Sequence, residues 1–164
     1  CEFEAWLLVV GGRVGADVVV VCVDDAEPVA VHVLYLPADT SWDDGVALRR
    51  TQWALGWLQE LWGSYRWPQI TNLHRIEGGG TEFPMLLMDG SASEGLIIHE
   101  AGHQYLHGML ANNEWREGWL DEGFASFVSA MYAAAFSPWT MMRRIGMSSI
   151  SANAFSMNAG TKKM

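Results

Sequence analysis

The sequence is poor in cysteine, in basic side chains and in long apolar runs, and each shortage excludes something. With only Cys1 and Cys22 there is no disulfide framework and no cysteine-rich metal site. The two could form one bridge, and the sequence does not say whether they do. Ten lysines and arginines stand against 19 aspartates and glutamates, a net charge of −9. So acidic a chain offers no basic surface to offset phosphate repulsion, which argues against a nucleic-acid partner. The longest apolar stretches, Trp6–Val10 and Val18–Val23, are far too short for a transmembrane segment. No charged segment precedes the first of them, so no signal peptide is read. Internal repeats and an interdomain linker are also missing. The compartment is not legible.

What is present is globular. Half of the 164 residues are hydrophobic, with nine tryptophans and six phenylalanines, enough for one domain with a sizeable core. Valine-rich segments at Phe3–Val10, Asp17–Val23 and Val29–Leu36 read as strands separated by turn signals. The alternation through Val29, Val31, Val33 and Tyr35 predicts a strand with both faces at least partly covered. A helix is predicted from about Val46 to Gly63, with Trp53, Trp57, Leu58 and Leu61 at helical spacing. The tryptophans at 53, 57, 62 and 67 are expected in the core. Gln69–Ile76 reads as a further strand, and Thr81–Met88 as an edge strand containing Pro84. A helix follows over roughly Glu94–Leu110, capped by Ser91 or Ser93 and ended by Asn112-Asn113. Another runs from Leu120 to Ala135 with Phe124, Phe127, Val128 and Met131 on one stripe. Ser137-Pro138 ends it and starts a short helix in which Arg143-Arg144 mark a solvated end. The tail, 148–164, is serine-, asparagine- and glycine-rich and is expected to be flexible. The class is α+β: an N-terminal mixed sheet followed by helices, one domain over 1–164.

The chemistry is concentrated in His99-Glu100-Ala101-Gly102-His103. Positions i and i+4 share a helix face, so His99 and His103 can offer two imidazole nitrogens to one zinc ion, with Glu100 one step round to hold a zinc-bound water. Leu96, Ile97 and Ile98 make the preceding turn apolar, and histidines buried there need partners that a metal provides. A third ligand must come from elsewhere, leaving a fourth position open; Glu122 on the next helix is the best candidate. A third histidine six residues after His103 is absent, since that position is Met109. His107 would sit about 6 Å further along the axis and is not counted as a ligand. His32 and His74 read as ordinary strand residues. Asp121 is either a carboxylate that orients a ligand histidine or an exposed residue at a helix start.

Eighteen residues separate His103 from Glu122, which stands in Trp119-Leu120-Asp121-Glu122-Gly123-Phe124-Ala125. With this spacing and context the chain resembles the gluzincin zinc metallopeptidases, specifically the aminopeptidase N-like family, with Asp121 where asparagine is more usual. Upstream, Gly79-Gly80-Thr81-Glu82-Phe83-Pro84 is similar to that family's G-x-M-E-N strand, threonine replacing methionine. The resemblance implies a thermolysin-like catalytic domain, of which this chain would be a portion. It implies one zinc ion on His99, His103 and Glu122, Glu100 as general base, and Glu82 binding the free α-amine of a peptide substrate. The activity it implies is removal of amino-terminal residues from peptides. A thermolysin-type endopeptidase, with Glu82 structural, and a catalytically impaired zinc- or peptide-binding fragment are the alternatives. Two departures bear on this. The family's oxyanion-stabilising tyrosine has no counterpart to which Tyr132 can be assigned, and the family's further domains are not in the chain. A portion of a longer chain would expose apolar surface and invite self-association.

Overall fold

The computed structural model describes residues 6–7, 15–21, 27–36, 42, 44–75 and 77–136, with side chains from residue 27 onward. Cys1, Cys22, the short helix expected after Pro138, Arg143-Arg144 and the 148–164 tail lie outside the described residues. The chain divides into two units, Cys1–Ser129 and Ala130–Met164. Everything that concerns the candidate site belongs to the first. In the second, Tyr132 packs its ring on Phe136 with centroids 4.6 Å apart.

Six strands form one sheet: β1 (Trp6–Leu7), β2 (Gly15–Val21), β3 (Val29–Tyr35), β4 (Gln69–His74), β5 (Glu82–Phe83) and β6 (Leu86–Asp89). Their spatial order is β1-β2-β3-β4-β6-β5. The first three pair antiparallel, β3–β4 and β4–β6 pair parallel, and β5 returns antiparallel along β6. A parallel pair needs a crossover, and between β3 and β4 it is supplied by helix α1 (Val46–Trp62). After β6 come α2 (Glu94–Leu106) and α3 (Gly118–Phe136). Helix α1 packs on β2, β3 and β4, α2 packs on β5 and β6, and the two helices touch each other. This is the mixed α+β arrangement expected.

The central strands carry the firmest packing. Val29, Val31, Val33, Ile70 and Leu87 are fully buried, each worth roughly 1.5–3 kcal/mol over exposure. On β3 the buried residues alternate with half-buried ones, as its pattern predicts. The site lies at the β6 end of the sheet, beside the buried Leu87.

Several expectations are corrected. The buried stripe of α1 is Ala47, Thr51, Ala54, Leu55 and Leu58, a helical i, i+4, i+7 series. Trp53 is left 57% exposed, Leu61 and Trp62 are exposed, and Trp57 and Trp67 are half-buried. Small residues let α1 lie close to the sheet, which turns the indoles outward. On α3 the buried stripe is Asp121, Ala125 and Val128, while Phe124 and Phe127 are exposed. Gly102 of α2 meets Ala125 and Val128, so the small face of α3, not the aromatic one, seats against α2. Thr81–Met88 is not one strand. It folds back at Pro84-Met85, where Met85 has φ 63°, into the β5–β6 hairpin; Thr81 and Met88 exchange backbone hydrogen bonds of 3.0 and 2.8 Å. Proline ends a strand by lacking a donor, and here it turns the chain as well.

Helix α2 begins at Ser93, whose side chain makes no capping bond. It stops at Leu106, short of the expected Leu110. The backbone then widens, with Gly108 N–H donating to His103 O and Leu110 N–H to Tyr105 O. A Cβ at Gly108 would meet Gln104 O at 2.8 Å, so only glycine allows the turn.

Candidate metal centre and its surroundings

His99 and His103 lie one turn apart on α2, and the α2–α3 contact brings Glu122 to them. His99 Nε2 is 3.2 Å from Glu122 Oε2 and 3.3 Å from His103 Nε2, and the third edge, His103 Nε2 to Glu122 Oε2, is 3.8 Å. A tetrahedral ion with bonds of about 2.0–2.1 Å spaces its ligands by roughly 3.3–3.4 Å. The residues present fit a zinc ion, with only the His103–Glu122 edge longer than that spacing. Among the described residues the same three form a group whose ligand atoms lie within 4.8 Å of one another. Glu122 is 65% exposed and His99 partly so, leaving that side open to a small ligand.

Asp121, adjacent to Glu122, is only 2% exposed, and its Oδ1 bonds His103 Nδ1. That settles the choice left open by the sequence. A carboxylate on Nδ1 holds the proton there and leaves Nε2 free to coordinate.

Glu82 and Glu100 approach His103 from the sheet side. Their carboxylate oxygens and a ring nitrogen of His103 lie within 4.8 Å of one another. Glu100 is buried, and its Oε2 has no hydrogen-bond partner among the described residues. Burial first, then the charges of Asp89, Glu82, Glu122 and Asp121, pushes its carboxyl up to about 8. A dication at the neighbouring ligands would pull it back down, and the same negative charges would attract that dication. Glu100 also fixes the identity of residue 80. A Cβ on Gly80 would lie 2.1 Å from Glu100 Oε1, so the glycine lets the β5 lead-in rest on the carboxyl. That lead-in is tied down by Arg75, whose Nη1 donates to Thr81 Oγ1 at 2.8 Å. Threonine thus has its own use at the position where the resembled family has methionine.

Asp89, Asn72 and Gln104, which belong to no motif in the sequence, complete the surroundings. Asp89 is fully buried; Asn72 Nδ2 donates to its Oδ2 at 2.7 Å and lies 3.1 Å from Thr51 Oγ1. Burial lifts the Asp89 carboxyl to about 7 against the opposing effect of the Asn72 bond. Gln104, also fully buried, bonds the β5–β6 turn. Its place four residues after Glu100 was the available signal, whereas nothing in the sequence marks Asp89. His107 stands apart from the three-atom centre, its Nδ1 3.6 Å from Glu114 Oε2.

With that geometry in hand, known proteins are informative. Residues 86–163 match the model of the peptidase family M1 domain. The matched stretch covers just under half of the chain. It contains His99, Glu100, His103, Asp121 and Glu122, while Glu82 falls ahead of it. Aminopeptidase B of Rattus norvegicus and of Homo sapiens are each 30% identical to the chain over 94 residues, which is 48% of this chain and 14% of the relative. The chain thus spans about a seventh of these relatives' length. The fold is also that of an M1 zinc metallopeptidase from Deinococcus radiodurans, with TM-score 0.58 and 21% identity, over 90% of this chain and 33% of that one. A mutant of such an enzyme from the same organism, bound to a Tyr-Ser-Ala substrate, gives TM-score 0.62 at 20% identity, over 90% and 34%. No helix among the described residues is long and apolar enough to cross a membrane.

Proposed function

We propose that this chain is the zinc-binding portion of a thermolysin-like M1 aminopeptidase, hydrolysing the first peptide bond of its substrates. The observation that carries the reading is the triangle of His99 Nε2, His103 Nε2 and Glu122 Oε2, with edges of 3.2, 3.3 and 3.8 Å, beside Glu100 Oε2, which has no partner among the described residues. One zinc ion held there would acidify a water and polarise the scissile carbonyl. Glu100 accepts the water's proton and returns it to the departing amine. Glu82, on the strand next to that base, pairs with the substrate's α-ammonium, and the outer side of β5 receives the extended peptide. A carboxylate at that place admits a chain end and rejects a continuing chain.

The test pairs zinc stoichiometry with turnover of aminoacyl fluorogenic substrates. One zinc per chain is expected, and Glu100→Gln should keep it while losing at least about a hundredfold in kcat. Near-normal activity in Glu100→Gln would sink the mechanism. Amino-terminal acetylation should abolish turnover; an endopeptidase would keep it. The alternative is zinc binding without turnover. Stoichiometric zinc with no turnover would select it.

A further inference from the structure

Gln104 takes no part in the chemistry above, yet its side chain is fully buried and every polar atom on it is engaged. Its Oε1 accepts the Met85 N–H at 2.7 Å and lies 3.4 Å from the Tyr65 hydroxyl, while its Nε2 donates to Phe83 O at 3.0 Å. The amide therefore bridges the backbone on both sides of Pro84, at the turn of the β5–β6 hairpin. The turn needs support. Met85 holds φ 63°, a left-handed conformation that glycine or asparagine adopts more readily. Its carbonyl is fixed from the other side by the Thr71 N–H at 2.9 Å.

Gln104 also shares a helix ridge with Glu100, four residues earlier. Glu100 abuts Gly80 where the extended segment begins, and Gln104 grips Phe83 and Met85 where it turns. Two consecutive side chains of one ridge thus hold both ends of the segment that carries Glu82. We propose that Gln104 is a positioning residue: it sets the Glu82 carboxylate and the outer edge of β5 at a fixed place over the His99–His103–Glu122 centre. This rests on the aminopeptidase reading for its functional consequence, but not for its structural one.

Gln104→Met in the full chain keeps the volume and removes the hydrogen bonds. With zinc bound, the Met85 amide should exchange with solvent at least about tenfold faster, since a buried bond of this kind is worth on the order of one factor of ten. For peptides with a free amino terminus KM should rise about tenfold, with kcat changed less than about threefold and zinc content unaltered. Adding Met85→Gly should recover much of the KM, because glycine takes a positive φ unaided. Should Gln104→Met fail to fold, Gln104→Glu keeps an acceptor for Met85 and loses the donor to Phe83, so in that variant KM and zinc content are read and Met85 exchange is not. Unchanged exchange at Met85, or a loss of kcat and zinc with KM constant, overturns the proposal. If the unaltered chain shows no turnover, the aminopeptidase reading fails while exchange still decides whether Gln104 holds the turn.

Discussion

Buried on the Nδ1 side of His103, the Asp121 carboxylate decides which imidazole nitrogen faces His99 and Glu122. Partners of this kind typically change metal affinity by 10- to 100-fold. Asp121→Ala should therefore weaken zinc binding by about that factor in competition with a chelator, and Asp121→Asn by less, since an amide oxygen can still accept from Nδ1–H. Equal zinc affinity in all three proteins would mean that the bond is incidental. At this scale the sequence marks the candidate ligands and is silent on their supports. His99 and His103 are marked by spacing, because spacing on a helix fixes direction, and Glu122 by the motif around it. Asp121 was undecided because the side on which α3 packs depends on Gly102 meeting Ala125, a tertiary contact that no local pattern encodes.

Among the elements, the β5–β6 hairpin is where local reading and structure part. From the sequence, Thr81–Met88 reads as one edge strand containing Pro84; the reversal depends on Met85 taking a conformation its side chain disfavours, stabilised from α2 and β4. Helix α1 misled for another reason. Tryptophans at helical spacing form a stripe, but the narrower stripe of alanine, threonine and leucine is the one that reaches the sheet. The lead-in to the hairpin yields a prediction of its own. A methyl at Gly80 would collide with Glu100 Oε1, the far end of a side chain that can swing aside. Folding should tolerate Gly80→Ala, with melting temperature and zinc content little changed, while kcat falls by about tenfold to a hundredfold because the base is displaced by an ångström or so. Wild-type kcat in that variant would show that Glu100 works from some other position.

Across the molecule as a whole, stability should depend on pH through Asp89. Its folded carboxyl titrates near 7, against an ordinary value of 3.8. Between those values the folded chain holds a proton that the unfolded chain has released, so stability falls as pH rises from about 4 to about 7 and levels off above. The loss is on the order of a few kcal/mol. Thermal melts of the wild type should decline over that interval, and Asp89→Asn should remove most of the Asp89 contribution while retaining the volume. An identical decline in the variant would assign the effect to other groups. The α+β class was legible at this scale because valine-rich strands and polar-faced helices separate cleanly along the chain. The strand order β4-β6-β5 was not, since it depends on the chain folding back at Pro84-Met85. That order leaves β5, two residues long, as the outermost strand, with no pairing on its outer side among the described residues. Under the proposed function this edge is a short ruler, bounded by the glycine turn at one end and Pro84 at the other. Such a ruler gauges where a peptide starts and is blind to how far it runs, so a tripeptide and a long unfolded tail would present it with the same object.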